Sequence, residues 1–100
     1  MTDKMFDAAY KLAKKASGPS GHGDAKDKLQ ALFPSASWDE IVASYLKGAE
    51  LAEKCYEIGD TTRHENISDD RAIQILKDRF PGFNDETYKD ALTLGWFLSR

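Results

Sequence analysis

The sequence contains a single cysteine, Cys55, so no disulfide can form within these 100 residues. This absence favours a reducing compartment. No apolar run approaches the roughly 20 residues that a membrane-spanning helix needs. Residues 1–16 also lack the continuous apolar core of a signal peptide. We therefore expect a cytoplasmic protein that does not associate with a membrane.

A strong excess of charge of either sign is also missing. The sequence has 14 basic and 17 acidic residues, and both signs are mixed along the chain. Proteins that bind nucleic acids usually carry a clustered basic patch, which this pattern does not show. The charge distribution therefore argues against nucleic acid as the partner.

Residues that could carry out catalysis are few and far apart along the chain. An enzyme needs a nucleophile or proton carrier beside an orienting group. Cys55 lies beside an apolar helical stripe, while His22 and His64 lie in segments predicted as loops. The adjacent acids Asp69–Asp70 and Asp85–Glu86 lie at predicted helix starts, where capping explains them. We therefore predict no catalytic residue, no metal site, no cofactor and no enzymatic activity.

One pattern occurs twice in the chain. Residues 29–41 and 76–88 align with a constant offset of 47 and no gap, which pairs Pro34 with Pro81. In both copies a helix ends at Phe-Pro, a tight corner follows, and a polar residue caps the next helix. We interpret this as the internal duplication of a helical hairpin.

The duplication predicts an all-α fold, a compact bundle of two similar helical hairpins plus an N-terminal helix. The hairpins at 24–58 and 68–100 supply the four core helices, within a helical core that covers 24–100. Residues 1–16 form an amphipathic helix. Residues 17–23 are rich in glycine, proline and serine, and are predicted to be a flexible linker.

The longest predicted helix runs from its N-cap at Ser37 to about Ile58, and a polar loop is predicted at 59–66. Its wide apolar stripe is expected to face the core. That stripe consists of Trp38, Ile41, Val42, Tyr45, Leu46, Ala49, Ala52 and Tyr56. Leu51 and Ile58 lie off the stripe, where they could cover a second neighbouring helix or contact a partner.

The apolar residues of the last helix surround it almost completely. Leu94 and Phe97 fall away from the inner face, which is formed by Tyr88, Ala91, Leu92 and Gly95. A helix that is apolar all round is expected to be buried or bound. Either the first helix covers this end, or the end binds a partner. Five partner-binding residues are predicted, with the last two secondary: Leu94, Trp96, Phe97, Leu51 and Ile58.

These observations predict a non-catalytic protein-interaction module of the adaptor, regulator or inhibitor type. It would bind a protein partner through the apolar surface of its C-terminal helix, and a second copy in a homodimer is one candidate partner. Two alternatives stay open: a helix–corner–helix regulator associated with nucleic acid, and a small enzyme with a pocket between the hairpins.

The two corner motifs also suggest a family resemblance. Leu-x-x-Leu-Phe-Pro followed by Ile41, and Phe80-Pro81 followed by Tyr88 and Leu92, resemble the Phe-Pro corner of CUE-type ubiquitin-binding helical domains. The resemblance implies that the Phe-Pro stretch and a late apolar pair would contact ubiquitin. Because the second copy ends before a third helix and both copies lack the late di-leucine, we do not assign the chain to this family.

Overall fold

A computed structural model describes residues 4–16 and 18–98, apart from the side chains at 18, 19, 62, 63, 97 and 98. Within this part the chain forms five α-helices and no strand. The helices are α1 (Lys4–Lys15), α2 (Gly18–Leu32), α3 (Trp38–Glu65), α4 (Asp69–Arg79) and α5 (Asp85–Leu98). The prediction of an all-helical bundle is confirmed.

α3 is the helix around which the others pack. α1 and α5 make its most extensive contacts, and α2 and α4 make smaller ones. α1 also packs on α2, and its Ala9, Tyr10 and Ala13 are buried. The N-terminal helix is therefore a central part of the bundle rather than an addition to a four-helix core.

Three glycines allow helix backbones to approach closely. A Cβ at Gly48 would collide with the backbone of Ala9 and Tyr10, where α3 crosses α1. Gly59 and Gly95 face each other in the same way, where α3 crosses α5. Side chains at these positions would force the helix axes apart, so the glycines determine which helices become neighbours.

Two apolar clusters fill the bundle. The first lies between α1, α2 and the beginning of α3, and its buried members are Ala9, Ala13, Ala25, Leu29, Ile41 and Tyr45. The second joins α1, α3, α4 and α5. Its buried members are Tyr10, Leu51, Cys55, Ile58, Ala72, Leu76, Phe80, Phe83, Tyr88, Ala91 and Leu92.

The two Phe-Pro corners share their main hydrogen bonds. The phenylalanine N–H of each corner donates to the carbonyl four residues earlier, at 3.1 Å for Phe33 and 2.8 Å for Phe80. The side-chain oxygens of Ser37 and Asn84 then accept from the N–H three residues later, at 3.2 and 2.8 Å. These N-caps and the one at Ser68 are confirmed.

The predicted linker at 17–23 is helical from Gly18 onward and forms the first turns of α2. Pro19 lies in the first turn, where a missing N–H costs no hydrogen bond. His22 Nδ1 forms a hydrogen bond with the Tyr45 hydroxyl of α3. Tertiary contacts of this kind outweigh the poor helix propensity of the glycines, which is why the linker prediction was wrong.

The helix predicted to end near Ile58 continues to Glu65, so residues 59–65 are helical rather than a loop. Gly59 does not break the helix because its backbone packs against α5. The helix ends before Asn66, which has a positive φ of 57°. Asparagine tolerates this left-handed conformation, and it commonly terminates helices.

Candidate functional site

The structure separates the five predicted partner-binding residues. Leu51 and Ile58 are buried in the second cluster, so they cover neighbouring helices and do not present a surface to a partner. Leu94 and Trp96 are half-buried and pack against the same cluster. The Phe97 side chain lies outside the described residues. Of the predicted set, only Leu94 and Trp96 therefore have a described, partly accessible side chain.

The clearest exposed apolar surface lies on α3 instead. Trp38, Leu46 and Tyr56 keep 48%, 58% and 47% of their surface exposed. At about 100° per residue these side chains lie within roughly 80° of one another around the helix, together with the half-buried Val42. The four residues Trp38, Val42, Leu46 and Tyr56 are termed the α3 stripe below.

Sequence periodicity identified these residues as one apolar face but assigned that face to the core. The buried side of α3 is centred instead on Gly48, Leu51 and Cys55, roughly 140° around the helix from the α3 stripe. Close backbone approach at Gly48 and Gly59 determines this orientation. The pair of glycines was the signal in the sequence that could have located the buried side.

Acidic residues lie beside the α3 stripe and, at Glu53, within it between Leu46 and Tyr56. Asp39, Glu50 and Glu53 are exposed and lie on the same side of the helix as Leu46. The lysines of α3, Lys47 and Lys54, lie about 90° further around the helix. A partner for this surface would therefore combine apolar side chains with positive charge.

A hollow of about 210 Å³ lies between α1, α2, α3 and α5. Ala49 and Glu53 line it from α3, and Leu94 lines it from α5. The other lining residues are Ala13, Lys14, Ala16, His22 and Ala52. Ala49 follows Leu46 by about one helical turn, so the hollow lies between that part of α3 and Leu94, one of the residues predicted from the sequence.

The outer face of α1 has the opposite charge. Lys4, Lys11 and Lys15 are exposed, and the half-buried Ala8 and Leu12 lie among them. Within the described part of the chain, none of these three lysines forms an ion pair. The face is therefore both basic and partly apolar.

Two adjoining hollows run along this face of α1. One, of about 390 Å³, is lined by Lys4, Asp7, Ala8, Lys11, Leu12, Leu32 and Asn84. The other, of about 340 Å³, is lined by Tyr10, Lys11, Lys14, Lys15, Asn84, Glu86, Thr87 and Asp90. Leu32 is 61% exposed beside them. The surface formed by Lys4, Ala8, Lys11, Leu12, Lys15 and Leu32 is termed the α1 trough.

A hydrogen-bonded group closes one end of the trough. The Tyr10 hydroxyl and Lys14 Nζ both donate to Asp90 Oδ2 at 2.7 Å. Burial and the bond to Asp90 raise the pKa of Tyr10 well above its usual value. Burial raises the pKa of Asp90 as well, but the hydrogen bonds from Lys14 and Tyr10 outweigh it and lower this pKa overall. Tyr10 therefore stays protonated and Asp90 charged, which suits a structural link between α1 and α5.

The remaining reactive side chains each contact a different part of the bundle. The Cys55 thiol is buried and donates to the Ala52 carbonyl at 3.5 Å. Burial raises the pKa of Cys55 to about 11, so little of the reactive thiolate forms at neutral pH. His22 contacts Tyr45, and His64 contacts its own helix. Among the described residues, no group of three or more His, Cys, Asp or Glu side chains could hold a metal ion.

Comparison with known proteins adds no assignment. No protein-family model matches the chain, and no curated protein or solved structure is significantly similar to it. In the part of the chain that the structure describes, no helix combines the length and apolarity needed to cross a membrane.

Proposed function

We propose that this protein is a non-catalytic interaction module that binds a protein partner through the α3 stripe. The observation that carries the proposal is the row of exposed apolar side chains at Trp38, Leu46 and Tyr56. Single exposed apolar residues are normal on protein surfaces, whereas an apolar row with a polar border is typical of a binding surface. Fully burying a large apolar side chain contributes roughly 1.5–3 kcal/mol relative to full exposure, so each of these half-exposed side chains would contribute about half of that on binding.

The proposed surface keeps part of the C-terminal surface expected from the sequence. It extends from the α3 stripe across Ala49 to Leu94, because these two residues line the same hollow. The half-buried Trp96 is a further candidate contact near the end of α5. Leu51 and Ile58 are left out because they are buried.

The charge of this surface favours a protein over a nucleic acid. α3 would be the groove-reading helix if the first hairpin bound DNA. Its exposed side carries Asp39, Glu50 and Glu53, which would repel a phosphate backbone. The buried Cys55 thiol, with its raised pKa, supports a non-catalytic role.

We also infer that the hairpins α2–α3 and α4–α5 arose by duplication. The shared corner hydrogen bonds at an offset of 47 residues support this inference. The second corner has Gly82 and Phe83 where the first has Ser35 and Ala36, and the Phe6 ring of α1 packs against the second pair. The two corners have therefore diverged at these two positions.

The experiment compares the proteins that are retained from host lysate by wild type, Leu46→Asp and Ala43→Asp. Both substitutions place an aspartate at an exposed position of α3, but Ala43 lies outside the α3 stripe. Circular dichroism and melting curves first establish that both variants are folded. The partner is then purified and its affinity measured by calorimetry.

We expect Leu46→Asp to weaken binding by at least about tenfold and Ala43→Asp to leave it unchanged. Equal binding by all three proteins would contradict the proposal. The proposal would also be contradicted if wild type retained no protein that Leu46→Asp fails to retain.

A further inference from the structure

We infer that a second copy of this chain is a partner of the α3 stripe, and that it docks through its α1 trough. The inference rests on the proposed function, because the α3 stripe must first be a binding surface. It identifies the partner by charge, by apolar complementarity and by the positions of the two surfaces on the molecule.

The charges of the two surfaces are complementary. Asp39 and Glu50 border the α3 stripe eleven positions apart, and Lys4 and Lys15 border the α1 trough at the same separation. At 1.5 Å per residue each pair spans about 17 Å, so both lysines can face both acids when the helices lie side by side. Lys11 then faces the middle of the acidic border.

The apolar parts of the surfaces also match. The α1 trough contains Ala8, Leu12 and the largely exposed Leu32, beside a hollow of about 390 Å³. The α3 stripe projects Leu46, which is 58% exposed. A leucine side chain can enter this hollow and cover Leu32, so that apolar surface on both copies leaves water.

The two surfaces lie on roughly opposite sides of one molecule. α1 and α3 contact each other at Gly48, Ala9 and Tyr10. The α1 trough lies on the far side of α1 from this contact, and the α3 stripe is turned away from it on α3. One chain therefore cannot cover its own α3 stripe with its own trough.

Association of this kind is head-to-tail. Each added copy leaves one free α3 stripe and one free α1 trough, which produces a ring or an open chain of molecules. A symmetric pairing of two α3 stripes would instead bring Asp39, Glu50 and Glu53 of both copies together. This like-charge contact disfavours the symmetric dimer.

The test measures mass in solution by light scattering and sedimentation over a range of concentrations. It compares wild type with Leu46→Asp, which damages the α3 stripe, and Leu32→Asp, which damages the α1 trough. Both substitutions replace an exposed leucine, and folding is checked by circular dichroism. We expect wild type to grow in mass with concentration and each variant alone to stay a monomer.

The decisive sample is an equal mixture of the two variants. Leu46→Asp retains an intact α1 trough and Leu32→Asp an intact α3 stripe, so together they have one complete interface. We expect this mixture to form a 1:1 pair that does not grow further.

The electrostatic part of the inference is tested with a charge reversal. Lys11→Glu is expected to weaken the self-association of the full chain by at least about tenfold. Lys89→Glu makes the same charge change at an exposed site outside the α1 trough, and we expect no change. Added salt should also weaken association, because the bordering charges are exposed.

Several results would overturn the inference. Association that survives Leu32→Asp would mean that the α1 trough is not the partner surface, and failure of the mixed variants to pair would have the same meaning. A third result combines both experiments: wild type stays a monomer at every concentration, and a different protein is retained in the pull-down by wild type but not by Leu46→Asp. This result would overturn the inference and leave the proposed function intact.

Discussion

Removal of the Asp7 carboxylate is predicted to loosen the attachment of α1 to the rest of the bundle. Asp7 is only 7% exposed. Its Oδ1 accepts hydrogen bonds from the Asn84 N–H at 2.9 Å and from the Thr87 hydroxyl at 2.7 Å. Asn84 is the N-cap of α5, so the carboxylate also lies at the positive end of that helix.

The expected cost of Asp7→Ala follows from these two bonds. A hydrogen bond to a charged group contributes about 1.5–3 kcal/mol, and a buried donor left without a partner costs a similar amount. Thr87 is buried, whereas Asp7 itself lines a hollow that water can enter. We therefore expect a loss of about 3 kcal/mol in the free energy of unfolding, a large share of the stability of a domain of this size.

The assay is urea unfolding followed by circular dichroism. Asp7→Asn keeps an acceptor oxygen but no charge, and we expect it to lose about half as much as Asp7→Ala. The control Asp78→Ala removes an exposed acid and is expected to stay within about 0.5 kcal/mol of wild type. With Thr87→Val, a double-mutant cycle is expected to give a coupling of at least about 1 kcal/mol.

A loss below about 1 kcal/mol for Asp7→Ala would refute this reasoning, since such a value is typical of an exposed polar contact. The absence of coupling between Asp7 and Thr87 would refute it as well. Either result would mean that the apolar contacts of α1 hold the helix without help from the carboxylate.

Three further predictions test close packing, burial and charge. Gly95→Ala is expected to destabilise the protein by more than about 2 kcal/mol in urea unfolding, because its Cβ would meet the backbone of α3. Gly23→Ala, in an open part of α2, is expected to stabilise the protein by about 0.5–1 kcal/mol. Equal effects of Gly95→Ala and Gly23→Ala would contradict the close packing of α5 on α3. Burial raises the pKa of Cys55 to about 11. Labelling of Cys55 by a thiol reagent at pH 8 is therefore expected to require unfolding. Rapid labelling of the native protein would contradict this prediction, because it would show that the thiol is accessible. The pKa of Asp90 is lowered in the folded state. The Asp90 carboxylate therefore stabilises the fold above its unfolded-state pKa of about 3.9, and this contribution is lost as the pH falls through the lower pKa of the folded state. We expect Asp90→Asn to lower the stability only slightly, because the Asp90 side chain is partly exposed. In acid titrations this difference from wild type is expected to shrink below about pH 4. A difference that grows there would contradict the assignment.

Local sequence determined most helix starts and both corners. Ser37, Ser68 and Asn84 cap helices as predicted, because a cap needs only one side-chain oxygen and an N–H three residues away. Helical periodicity also located the buried face of α5 correctly, with Tyr88 and Ala91 in the core. These features depend on residues within one or two turns of each other, and such residues are adjacent in the sequence.

Tertiary structure decided where helices continue and which side of α3 is buried. Residues 18–23 and 59–65 are helical because α2 packs on α3 and α3 packs on α5, although their composition suggests loops. Leu46 is exposed because the glycines of α3 bring α1 and α5 against a different side. The energy of a close helix crossing depends on the partner backbone, which periodicity within one helix does not describe. The α3 stripe, and with it the candidate binding surface, is therefore a property of the assembled bundle.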